Sequence, residues 1–170
     1  MLFYTILLIL HAIFAVLFLG TVTVAISSFP RHIMIAQSNS DVEGIRAGGA
    51  ARQAHKITNL YGMLSLIVPL LGVAVMFTDM STYFRDGRYH TSILLAVIGW
   101  AILFFMVIPR QKKMLGALQL LPEEDIDTDE KYQISDWAKA KSQLAMFSGL
   151  FALTWVLAGI IMFLPANFGL

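Results

Sequence analysis

No cysteine occurs anywhere in the chain. That excludes disulfides, thiolate zinc sites, iron–sulfur ligation and a cysteine nucleophile together. Charge is scarce too: 14% of the 170 side chains are Asp, Glu, Lys or Arg, against about a quarter in an ordinary soluble domain. The net charge of +1 is too small to hold a polyanion such as nucleic acid. Four runs, 1–29, 57–78, 91–109 and 143–170, contain no charged residue at all, so every charge falls in the three segments between them. A water-soluble globule does not partition its charge this way. With 98 residues in the apolar runs, too little chain remains for an independent aqueous domain.

A helix crosses about 30 Å of hydrocarbon with roughly 20 apolar residues, and only helices or a closed barrel satisfy their backbone polar groups there. A barrel would show alternating segments of about ten residues. These runs are continuous. They predict an all-α, polytopic membrane protein, residues 1–170 forming one domain of four transmembrane helices. The expected helices cover about 2–29, 57–78, 91–109 and 143–165, with loops 30–56 and 110–142 on one side. The first run lacks a basic leader, and its apolar stretch is about twice that of a signal peptide, so it reads as a retained helix. Segments 30–56 and 110–142 carry ten Lys/Arg and 79–90 carries two. The positive-inside rule then puts both larger loops in the cytoplasm of a bacterial cell, with both termini outside the plasma membrane.

The chain also aligns with itself. A shift of 79 places Tyr4 on Tyr83, His11 on His90, Gly20 on Gly99, Pro30 on Pro109 and Arg31 on Arg110. A shift of 87 places Gly62 on Gly149, Ser65 on Ala152 and Gly72 on Gly159. Two helical hairpins in tandem explain this, and so does shared hydrophobic composition. The paired prolines are expected to end helices, and Arg31 and Arg110 to reach lipid phosphate. Lys112, Lys113, Lys139, Lys141 and Trp137 suit the same interface. Gly62, Ser65 and Gly72, with Gly149, Ala152 and Gly159, form small-residue stripes that let helices approach closely.

His11 is the ionisable side chain inside the first run, and His90 is its repeat mate. Two readings stand. Facing imidazoles are what an axially ligated haem b or a copper ion needs, with Met76, Met80 or Met162 as a soft ligand. Otherwise His11 is neutral and bonded to a neighbouring helix, His90 merely starts a helix, and no cofactor binds. Trp100 and Trp155 sit near helix midpoints, where each indole N–H needs an acceptor; they wall a cofactor cleft or fill the core, bonded to a hydroxyl such as Thr154. Glu123, Glu124, Asp125, Asp127, Asp129 and Glu130 imitate the start of a calcium loop. Glu130 stands where glycine is needed and Asp136 where Glu is, so a solvated acidic loop is expected. Gly44, Gly48 and Gly49 follow no strand and precede no Lys-Ser/Thr, so no phosphate loop is expected. No Ser–His–Asp, paired-carboxylate or HExxH arrangement lies in the apolar runs.

The LILHAIFAVLFLG segment (His11, Gly20), the Pro30-Arg31 and Pro109-Arg110 exits and RQAHKITNLYG resemble uncharacterised four-helix bacterial integral membrane proteins. Those are grouped loosely with copper-resistance CopD-like and protoporphyrinogen-oxidase HemJ-like proteins. The resemblance implies His11 as a haem or metal ligand. This chain differs from the haem-associated members in having few polar groups inside its helices. The stripes, small loops and missing reaction centre point instead to a non-catalytic accessory subunit of a larger bacterial membrane assembly, such as a respiratory-chain complex in electron transport. Lipid and other membrane subunits are the expected partners. A transporter fits less well, because no acid lies within the spans.

Overall fold

The computed structural model describes residues 2–127, 129 and 131–165. Glu130 of the acidic stretch and both chain ends lie outside the described residues. Four helices are long and apolar enough to cross a membrane: α1 Leu2–Ser38, α2 Val42–Met76, α3 Gly87–Ala117 and α4 Trp137–Phe163. Among the described residues all regular structure is helical, so this is an all-α, multi-pass membrane protein. α1 packs chiefly on α2 and α3 on α4, while α1 also touches α4 and α2 touches α3. The result is an up-and-down bundle of two antiparallel hairpins. We call the end bearing the 39–41 turn and the 118–136 connection the basic end.

Two indoles stitch the hairpins together. Trp100 Nε1–H donates to Ser65 Oγ at 2.9 Å, tying α3 to α2, and Trp155 Nε1–H donates to Thr23 Oγ1 at 3.0 Å, tying α4 to α1. Each finds the hydroxyl its burial demands, but neither uses Thr154, whose hydroxyl donates to Phe151 O at 2.7 Å. The core lies toward the basic end. Val22, Ile26, Phe29 and Ile33 of α1 meet Leu103, Val107, Met114 and Leu115 of α3 and Leu144 and Phe151 of α4. No residue of Leu2–Phe14 is buried.

The helices run well past the charge-free runs, which corrects the expected boundaries. α1 continues through Pro30 to Ser38, α2 begins at Val42, and α3 continues through Pro109 to Ala117. The expected 30–56 loop shrinks to residues 39–41, and the expected 110–142 loop to 118–136. Pro30 and Pro69 do not stop their helices because the carbonyl each orphans finds another partner. Pro30 has no N–H for Ile26 O, and Ser148 Oγ from α4 donates to that oxygen at 3.4 Å. Around Pro109 the ladder is already rephased by a π-turn, Leu103–Val107, so Ile108 N–H bonds Leu103 O. Pro69 follows a break at Ser65, whose carbonyl accepts from Val68 N–H at 3.0 Å. Removing the Ile26 partner tests this account. Ser148→Ala is expected to lower stability by about 1–2 kcal/mol in detergent unfolding. In a Pro30→Ala background, where residue 30 regains its N–H, the same change should cost clearly less. Equal losses in both backgrounds would contradict the role assigned to Ser148.

α2 starts at a side-chain cap: Asp41 Oδ1 accepts from the N–H groups of Glu43 and Gly44 at 3.0 and 3.1 Å. Its Gly44, Ala47, Gly48, Ala51, Ala54, His55, Thr58 and Gly62 are all buried, at spacings of one, three and four. That small-residue face lets α1 lie close against it. Gly44 and Gly48 are thus packing residues, and a Cβ at Gly48 would touch Leu120 at 3.2 Å.

Candidate functional site: a polar cavity at the basic end

His55 belongs to the buried face of α2, and Gln111 lies two residues past Pro109 on α3. Gln111 is 0% exposed and His55 6%, so their polar atoms must bond to each other. His55 Nδ1–H donates to Gln111 Oε1 at 3.1 Å, and Asn59 Nδ2–H donates to His55 Nε2 at 3.3 Å. Gln111 Nε2–H reaches Thr58 Oγ1 at 3.5 Å, and that hydroxyl donates to Ala54 O at 2.8 Å. The chain runs one way, from Asn59 through His55, Gln111 and Thr58 to a backbone carbonyl. Each donor meets an acceptor, and both imidazole nitrogens are occupied.

Above this chain opens a cavity of about 560 Å³ lined by His55, Asn59, Ile108, Lys112 and the segment Glu124–Asp127. The segment is pinned from both sides. α3 closes with Gln119 at φ 58, and Leu120 N–H returns to Leu115 O at 2.9 Å. The Leu120 side chain then seats on Gly48 of α2, and the Tyr132 ring lies on Gly116 of α3. Tyr132 Oη accepts from Asp127 N–H at 3.0 Å, holding the acidic segment over the cavity. Three carboxylates, one ammonium, an amide and a neutral imidazole face a volume of ligand size. Such a lining suits polar or zwitterionic groups. It offers no free imidazole for acid–base work or metal binding.

The residues singled out in the sequence are dispersed. His11 Nδ1–H donates to Val68 O of α2 at 2.8 Å, and its ring fills the space over Gly72. His90 is exposed and bonds Asp86 O of its own helix at 3.3 Å. The repeat mates therefore have separate partners. Met76 is buried, whereas Met80 and Met162 are exposed. Among the described residues no three His, Asp or Glu side chains converge as metal ligands. Gly62 is covered by Leu103 and Ser65 by Trp100, but Gly149 and Gly159 of α4 have nothing within 4 Å of a Cβ position; Ala152 is half-buried. Arg31 and Lys113 are exposed. Arg110 donates to Met106 O at 2.9 Å and stacks on Phe147 at 4.4 Å, and Lys112 lines the cavity. Trp137 is half-buried in the first turn of α4, packed on the core. At the other end Arg88 grips the Asp86 carboxylate and Leu164 O, which fastens the last turn of α4. The ion pair holds the Asp86 carboxyl below the usual carboxylate range.

His55, Thr58, Asn59 and Gln111 were not among the residues the sequence singled out. The signal for His55 was available, because it falls on the same helical face as Gly44, Gly48, Ala51 and Thr58. No family model, curated protein or solved structure matches this chain.

Proposed function

We propose that the chain is a non-catalytic accessory subunit of a larger bacterial membrane assembly, with a respiratory-chain complex as the first candidate. The observation that carries this reading is the uncovered glycine pair on α4. Gly62 and Gly72 of α2 are covered by Leu103 and His11, but Gly149 and Gly159 face outward beside exposed Leu153, Val156 and Ile160. A glycine inside a helix costs about 1 kcal/mol relative to alanine, and lipid returns nothing for it. A second helix does, because small residues let the two backbones close. The charge distribution supports a plasma-membrane setting with the basic end in the cytoplasm and both chain ends outside.

Mild detergent extraction followed by native electrophoresis tests the reading. The chain is expected to migrate with other subunits, and Gly149→Leu with Gly159→Leu is expected to release it as a monomer. Migration of the unmodified chain as a free monomer would count against it. A second reading, a haem-, porphyrin- or copper-binding membrane protein of the CopD-like or HemJ-like kind, draws on His11 and His90. The Nδ1–H of His11 is held by a backbone carbonyl, as ligating histidines usually are, and His90 would be the second ligand. An absorption spectrum with metal analysis decides it: a Soret or copper band lost in His11→Ala favours ligation, and a colourless, metal-free protein ends it.

A further inference from the structure

We propose that the face of α1 from Thr23 to His32 binds the phosphate group of an acidic phospholipid. A groove of about 470 Å³ runs along this face, lined by Thr23, Val24, Ser27, Ser28, Arg31 and His32. It holds one permanent cation, one imidazole and three hydroxyls, and no carboxylate. Two of the hydroxyls are used within the chain. Ser28 Oγ donates to Ala25 O at 3.0 Å, and Thr23 Oγ1 donates to Leu19 O at 2.8 Å while accepting from Trp155. The Ser27 hydroxyl, the Arg31 guanidinium and the His32 imidazole bond to no other described residue. Three polar groups on one accessible helix face are therefore open to a partner from outside the chain.

Depth identifies that partner. Ser148 bonds Ile26 while its neighbour Phe147 carries the Arg110 guanidinium, which folds back to Met106 O, so that guanidinium stands near the Ile26 level of the bundle. Arg31 lies five residues further along α1, roughly 7 Å beyond that level and past the end of the charge-free run. Ser27 sits four residues deeper than Arg31, roughly 6 Å toward the hydrocarbon. The interfacial layer on each side of a bilayer is about 5–8 Å thick. A phosphate between Arg31 and His32 places the glycerol ester oxygens beside Ser27, with the acyl chains running down past Val24. Arg31 differs here from its repeat mate: Arg110 is held by Met106 O and Phe147, whereas Arg31 is left for a ligand.

The test counts lipids bound to the intact purified chain by native mass spectrometry. Dioleoyl-phosphatidylglycerol is expected to bind at least about tenfold more tightly than dioleoyl-phosphatidylcholine. Arg31→Gln should weaken phosphatidylglycerol about fivefold, the loss of one basic contact at an anionic headgroup. Arg31→Lys should retain most of it, and Arg110→Gln should stay within about twofold of the unmodified chain. Equal binding of the two lipids, or equal losses from Arg110→Gln and Arg31→Gln, would overturn the proposal. Full displacement of phosphatidylglycerol by millimolar inorganic phosphate would overturn the lipid as the source of the phosphate. Far-UV circular dichroism of each variant separates lost binding from lost fold.

Discussion

Gly44→Ala is expected to destabilise the protein by about 3 kcal/mol or more, at the upper end of what overpacking costs. A Cβ at residue 44 would overlap the carbonyl of Asn39, which closes α1, and the obstacle is backbone and not a movable side chain. Relief requires opening the 39–41 turn, which withdraws the Asp41 cap from the N–H groups of residues 43 and 44. Gly49→Ala is the internal control. Nothing lies within 4 Å of its Cβ position, so the added methyl should stabilise the exposed helix by roughly 0.5–1 kcal/mol. Thermal unfolding in detergent, followed by circular dichroism, reads both. If Gly44→Ala melts with the unmodified protein, the close approach of the α1 end to the α2 start is wrong. The site lies outside the charge-free runs, so the measurement reports the hairpin extension and not membrane insertion.

That extension marks where the sequence stopped being readable. Absence of charge reports which solvent a segment meets, so residues 57–78 and 91–109 identified two spans directly. It says nothing about where a helix ends, because Arg, Lys, Gln and Glu are good helix formers in water. Segment 30–56 therefore read as loop although it holds the buried face Gly44–Ala47–Gly48–Ala51–Ala54–His55. Proline misled in the same direction. Pro30 orphans a carbonyl, and no local feature reveals that Ser148, 122 residues away in sequence from Ile26, supplies the missing donor. The tandem alignment paired α1 with α3 and α2 with α4 by sequence alone. It did not reveal that Gly62 is covered and Gly149 exposed, or that His11 reaches Val68 while His90 stays on its own helix. Those differences come from contacts between hairpins, which self-alignment does not contain.

The buried chain at the basic end is the second place where one substitution should have a large effect. Gln111→Leu keeps volume and removes the acceptor for His55 Nδ1–H, leaving a buried donor unpaired, at an expected loss of about 1–3 kcal/mol. His55→Leu strands Gln111 Oε1 in the same way and takes the acceptor from Asn59. Each single variant is therefore penalised for what it leaves behind more than for the bond it deletes. His55→Leu with Gln111→Leu strands neither partner of that pair and gains apolar contact between α2 and α3. The double variant should lose at least about 1 kcal/mol less than the two single losses added together. Additive losses, read from unfolding of all four proteins in one detergent, would mean that His55 and Gln111 act independently. Such a result would leave the cavity floor without the one-way hydrogen-bond chain that joins α2 to α3 beneath the acidic segment. A favourable coupling fixes His55 as a structural donor to Gln111, and any chemistry in the cavity then falls to Lys112 and the carboxylates of Glu124, Asp125 and Asp127.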